Sequence, residues 1–141
     1  MSELGIGTFA ENLLSLPQGL RAMAATHWLD VSLTLDSITW HFGNFGEPRL
    51  VAQTEEGLRL LGLEQLAHVF SEAKTLMTPF IDQMSPEHPP EELLEKAGFG
   101  ERGHQLDCKA WDLRDLGNRK SAIYDAWVRY AHKHPEQVFG L

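Results

Sequence analysis

The amino-acid sequence predicts an all-α fold, a compact single-domain bundle of about six or seven helices around a central helical hairpin at residues 48–61 and 63–78. Three observations carry that prediction. Apolar residues recur at spacings of three and four through the hairpin, and Pro and Gly mark the points where helices start and stop. The one alternating stretch, Val31-Ser32-Leu33-Thr34-Leu35, has no second convincing strand to pair with. A chain of 141 residues is one domain, 1–141, with enough length to bury a single real core.

Taken in order, residues 8–16 (Thr-Phe-Ala-Glu-Asn-Leu-Leu-Ser-Leu) form a short helix halted by Pro17. From Gln18 a longer helix follows, with Leu20, Met23, Ala24, His27, Trp28 and Val31 on one stripe. His27 on that apolar side reads as a hydrogen-bonded core histidine, and Val31 to Leu35 as the helix end and a turn. Asp36 resembles an N-cap for Ser37 to Phe42, and Gly43-Asn44-Phe45-Gly46 breaks that segment. Trp40, Phe42 and Phe45 form a dense aromatic cluster expected to pack beside the hairpin.

In the hairpin, Pro48 suits a first helical position, where a missing N–H costs nothing. Val51, Thr54, Leu58 and Leu61 make one buried stripe. Gly62 can take the left-handed conformation that ends a helix. Leu63, Leu66, Ala67, Phe70, Ala73 and Met77 repeat the pattern, and Pro79 closes it. The other face of the second helix carries Glu64, His68 and Glu72 at steps of four.

Residues 81–90 are a proline-marked connection to a short helix, Glu91 to Ala97, closed by Gly98. Residues 98–105 hold three glycines without G-x-G-x-x-G spacing or a preceding strand, so they read as a flexible surface loop and not a phosphate cradle. Leu106 to Leu116 is helical and ends at Gly117-Asn118. The last helix, Arg119 to His134, places Ile123, Ala126, Trp127, Tyr130, Ala131 and His134 on one face, pairs Asp125 with Arg129 on the other, and stops at Pro135.

Composition narrows the function. Hydrophobic residues at 43% and charged residues at 23% belong to an ordered, soluble protein. No apolar run approaches the roughly 20 residues that span a bilayer, and Met-Ser-Glu-Leu-Gly-Ile-Gly puts an acid where a secretion signal is basic. Cys108 is the only cysteine, which rules out an internal disulfide and fits a reducing cytoplasm. The net charge is −8 and uneven: residues 1–100 hold 14 acids and 5 bases, whereas 101–141 hold 6 acids and 7 bases. An acidic front two-thirds would repel phosphates, which argues against direct nucleic-acid binding.

No catalytic motif is found. His104 and Cys108, four apart, could share a helix face as metal ligands would, but zinc wants about four ligands, or three plus water. No G-x-S-x-G elbow is present. The expectation is a non-enzymatic protein with no catalytic residue, no metal and no cofactor. The acidic series has two readings, a solvated surface that confers solubility or a face that meets a basic partner: Glu55, Glu56, Glu64, Glu72, Glu91, Glu92 and Glu95 fall within residues 47–95. Carboxylates four apart on a helix lie about 6 Å apart along its axis, similar to phosphates along a nucleic-acid strand. Rows of them can occupy the basic cleft of a DNA-binding protein.

Glu56 to Ala73 (Glu-Gly-Leu-Arg-Leu-Leu-Gly-Leu-Glu-Gln-Leu-Ala-His-Val-Phe-Ser-Glu-Ala) resembles the "E-A-L-x-x-I-G-A-x-x-x-A-x-I-x-x-x-A" core of a bacterial domain family of largely unknown function that includes an acidic DNA-mimic protein. His41-Phe42-Gly43-Asn44 resembles that family's aromatic-Phe-x-Asn segment, and Tyr130 to Phe139 its closing Y-x-x-x-H-P-x-x-F. The resemblance covers about residues 28–139. Where the family usually writes Asn-Gly-Gly-Phe, this chain has Leu35-Asp36-Ser37-Ile38, a divergent feature. The resemblance implies an all-helical fold, no established enzyme activity, and an acidic surface that acts as a decoy for a DNA-binding regulator, in a homodimer. The expected partner is thus a protein with a basic surface. A toxin inhibitor of immunity or antitoxin type is the alternative, and an enzyme using Cys108, His104 and a carboxylate is third.

Overall fold

The computed structural model describes the backbone of residues 3–140 and the side chains from Thr8; Met1, Ser2 and Leu141 lie outside the described residues. Nine α-helices and no strand occur among them: α1 (Glu3–Leu13), α2 (Gln18–Leu35), α3 (Ile38–Phe45), α4 (Pro48–Leu60), α5 (Glu64–Met77), α6 (Pro90–Lys96), α7 (Gly100–Arg114), α8 (Ala122–Lys133) and α9 (Pro135–Phe139). A 3₁₀ turn, Thr78–Gln83, extends α5 through Pro79. The all-α prediction holds, with more and shorter helices than the periodicity showed.

The hairpin is where the pattern places it. Pro48 opens α4, and the Glu47 side chain accepts from Leu50 N. Gly62, at φ +80°, turns the chain into α5. Val51, Thr54, Leu58 and Leu61 are buried, as are Leu66, Ala67, Phe70, Ala73 and Met77. With Leu29, Leu33, Ile38, Phe42, Leu94, Leu106 and Ile123, the residues from α4 and α5 build the main core. Burial of each large side chain contributes about 1.5–3 kcal/mol.

Helix α2 touches the most neighbours, packing on α1, α3, α4, α7, α8 and α9. It can do so because its buried positions are mostly small: Gly19, Ala22, Ala25, Thr26 and Ser32 beside Leu29 and Leu33. Small residues let helix backbones approach closely. A Cβ at Gly57 of α4 would lie 3.1 Å from Ala22 Cα, and one at Gly19 would lie 2.7 Å from Tyr130 Cε1.

Several boundaries differ from the sequence reading. Helix α1 spans Glu3–Leu13 in place of 8–16. Ser37, and not Asp36, caps α3, accepting from Trp40 N at 3.2 Å. His27 is exposed; its ring packs against Trp28 and Trp127 instead of entering the core. Residues 98–105 are not a loop. Gly98, at φ +84°, ends α6, and α7 begins two residues later. Gly103 lies under Leu94, where a Cβ would come within 2.5 Å of Leu94 Cδ1. That glycine serves helix packing, not flexibility. Asn118 and Arg119 are left-handed (φ 52° and 63°), so α8 starts only after Ser121, whose hydroxyl accepts from Ile123 N at 3.1 Å. Pro135 starts α9, which buries Val138.

Candidate functional site

Four of the seven carboxylates singled out in the sequence are held by cations. Glu55 Oε1 lies 3.9 Å from Lys74 Nζ, and Glu64 Oε2 lies 3.0 Å from Arg59 Nη1. Glu72 is bound by Arg102 of α7 and by His68 Nε2, the latter at 3.0 Å. Glu92 lies 3.0 Å from Lys96 Nζ and 3.9 Å from His88 Nδ1. The Lys96 contact holds the Glu92 carboxyl below its ordinary range. Exposed pairs of this kind add little stability, because water screens the charges and two long side chains must be ordered. Their effect is on the field: the α5 row from Glu64 to Glu72 is bracketed by positive charge.

Glu56, Glu91 and Glu95 form no ion pair among the described residues. Glu91 and Glu95 are one turn apart on α6. A Cβ at Gly100 would lie 3.3 Å from Glu95 Oε2, so this carboxylate sits over the first turn of α7, where the helix dipole favours it. Of the three acids without an ion pair, two therefore lie on α6 and the third, Glu56, lies on α4 of the hairpin.

Two further acids, unread in the sequence as functional residues, stand beside them at the N-terminus of α3. Asp107 of α7 accepts from Thr39 N (3.0 Å) and Thr39 Oγ1 (3.1 Å). Burial pushes its carboxyl above the ordinary range, against those hydrogen bonds, and the charge of Asp36 adds to the rise. Burial likewise raises Asp36; its hydrogen bond with Ser37 opposes this, and the charge of Glu91 reinforces it. Asp36 and Glu91 thus lie within one electrostatic field although 55 positions separate them. No periodicity could have paired them, and Asp36 had the sequence context of a helix cap.

Between the C-terminal turn of α2 and α3 lies a cleft of about 420 Å³, lined by Val31, Ser32, Leu35, Asp36, Trp40, Asn44 and Phe45. A second cleft, of about 230 Å³, lies on the other side of Trp40 and Asn44, against Met84, Pro86 and Pro90. Trp40 is half-buried and forms a wall of both. Of the three aromatic residues read as a core cluster, Phe42 is fully buried, while Phe45 is only partly covered and stacks on Trp28 with ring centroids 5.2 Å apart.

His104 Nε2 and Cys108 Sγ are 3.6 Å apart on the exposed side of α7. Among the described residues, no group of three or more His, Cys, Asp and Glu side chains could hold a metal ion. No helix among them is long and apolar enough to cross a membrane. What the arrangement offers is fixed negative charge beside a half-open aromatic cleft.

Neither the curated proteins nor the solved structures contain a significant match to this chain. One family's sequence model does match, over residues 14–134, which takes in α2 through α8 and both clefts. That agrees with the family likeness carried by the hairpin and by His41 to Asn44, and it takes in the closing segment as far as His134. The chain belongs to the DMP19-like protein family.

Proposed function

We propose that this DMP19-like protein is a non-enzymatic, acidic protein-binding domain of DNA-mimic type, a decoy that covers the basic surface of a DNA-binding protein. The observation that carries the reading is the placement of Glu91 and Glu95 on α6 without an ion pair, Glu91 within the field of Asp36. Carboxylates on successive helix turns present charge about 6 Å apart along the axis. An Arg- or Lys-rich DNA-binding cleft finds there what it finds along a phosphate backbone. The ion-paired acids Glu55, Glu64, Glu72 and Glu92 and the unpaired Glu56 on α4 add to the charge that such a partner meets. Family membership supports the same reading, since the family includes an acidic DNA mimic.

The test is affinity capture from native cell lysate, eluted with a salt gradient and competed with duplex DNA. Screening lengths fall from about 10 Å at 0.1 M salt to about 3 Å at 1 M, so a contact between exposed charges releases early. The decoy reading expects a DNA-binding protein that leaves at moderate salt and is displaced by duplex. A triple variant carrying Glu56→Lys, Glu91→Lys and Glu95→Lys should lose at least ten-fold in affinity for it. Unchanged affinity in that variant sinks the reading, and a toxin held through high salt would replace it with toxin inhibition.

A further inference from the structure

The larger cleft has a composition that a bare acidic surface lacks. Its lining combines an indole (Trp40), a carboxylate (Asp36) and a carboxamide (Asn44). The side chains of Trp40 and Asn44 make no hydrogen bond among the described residues, whereas the indole N–H groups of Trp111 and Trp127 are committed to Asp36 O and Thr26 Oγ1. The C-terminal turn of α2, which forms the opposite wall, contains no basic residue, so the negative end of its dipole is uncompensated from within the helix. Arg114, which reaches the last turns of α2, is already engaged: it binds Asp30 at 3.0 Å, Asp115 at 2.8 Å and Thr34 at 2.6 Å. No Lys or Arg lines the cleft.

We propose that this cleft is a receptor for one arginine side chain of the partner protein, whose guanidinium stacks on Trp40 and pairs with Asp36. The charge selects the sign of the occupant: Asp36 is negative, Glu91 acts on it through space, and no Lys or Arg lines the cleft. The shape selects arginine over lysine. A planar guanidinium stacks on an aromatic face, forks onto a carboxylate through two N–H groups and sheds its hydration more readily than an ammonium. Asn44, which lines the same cleft, supplies a carboxamide oxygen as an acceptor for a third N–H. Val31 and Leu35 give the arginine methylenes an apolar bed, and Leu35, at 79% exposed, is otherwise unexplained on the surface. The cleft deepens the decoy reading and rests on it only for the identity of the protein that supplies the arginine: α6 attracts a basic surface by its field, and Trp40 fixes one side chain of it in register.

The experiment follows the four tryptophan indole N–H signals of the full chain by NMR while a blocked Gly-Arg-Gly peptide is added, with Gly-Lys-Gly and Gly-citrulline-Gly as controls. Trp40→Phe identifies the Trp40 signal. The expected result is a saturable shift of that signal with the arginine peptide, several-fold weaker binding with lysine, and none with citrulline, which keeps the shape without the charge. Asp36→Asn, at an exposed position, should weaken the arginine peptide at least five-fold without unfolding the chain. A shift of equal size with citrulline, an unmoved Trp40 signal, or an Asp36→Asn variant that binds as tightly as the parent would each overturn the proposal. The peptide assay and the capture assay fail separately. Arginine binding without a DNA-binding partner leaves the cleft and removes the decoy; a DNA-binding partner insensitive to Asp36→Asn leaves the decoy and removes the cleft.

Discussion

His41 Nδ1 lies 2.7 Å from Ser32 Oγ, and Ser32 Oγ in turn donates to the carbonyl of Trp28 at 2.9 Å. With the serine proton committed to Trp28, the imidazole must donate from Nδ1, an inferred tautomer that leaves Nε2 as a bare lone pair. Nε2 is buried and unpartnered, among the rings of Phe42, Phe45 and Phe70. The core histidine of this protein is thus His41, not His27. Burial pulls its pKa from 6.5 to about 3.

The sign of the pH dependence follows. The unfolded chain takes up a proton near pH 6.5 and the folded chain does not, so this stability is complete above that pH and is lost as pH falls toward 3. The unfolding free energy from urea titration should drop by about 1 kcal/mol per pH unit. The raised carboxyls of Asp36 and Asp107 act oppositely, because their protonation at low pH favours the folded state. They blunt the slope only at its acid end. A His41→Gln variant should show no such slope between pH 6.5 and 5; an unchanged slope would contradict the buried neutral imidazole.

Asp107 ties α7 to the start of α3 through both of its oxygens. Asp107→Ala strips Thr39 N and Thr39 Oγ1 of their acceptor and should cost about 1–2 kcal/mol, the range of a lost cap. Asp107→Asn keeps one acceptor oxygen for the backbone N–H and removes a desolvated charge, so its loss should be smaller. Chemical denaturation of the two variants side by side orders them.

Gly57 is the close-approach point of α2 and α4. Alanine there gains about 1 kcal/mol of helix propensity. Its methyl, however, would meet the backbone of Ala22 at 3.1 Å, where no rotamer change can yield. Overpacking of about 1–3 kcal/mol should win, and Gly57→Ala should lower the unfolding midpoint. A stabilised variant would mean that the two helices can part without penalty.

Electrostatic steering separates the α6 acids from those of the hairpin. Glu91→Lys with Glu95→Lys removes uncompensated charge, and should slow association with a basic partner at low salt far more than at high salt. Glu64→Lys with Glu72→Lys instead releases Arg59 and Arg102. It should change the rate less and stability slightly more. Stopped-flow association rates at two salt concentrations distinguish the pairs; equal effects would assign the binding surface to the whole acidic face.

Helix periodicity alone determined the fold class, the α4–α5 hairpin, its turn at Gly62 and the buried stripe from Val51 to Met77. Those features depend on neighbours within one turn of the chain, and spacing records them directly. Cap chemistry was legible only to within a residue, as at Asp36 and Ser37, because side-chain rotamers choose between adjacent candidates. Glycines misled where tertiary packing sets their role: Gly103 reads as a loop residue until Leu94 is placed above it. Charge was legible as a sum and not as a surface. Seven glutamates could be named from the sequence, but Lys74, Arg59, Arg102 and Lys96 decide which of them stay bare. Arg102 reaches Glu72 only because α7 packs on α5. The juxtaposition of Asp36 with Glu91, and the cleft against Trp40, belong to the tertiary structure alone, since both join elements whose approach is set by the core between them.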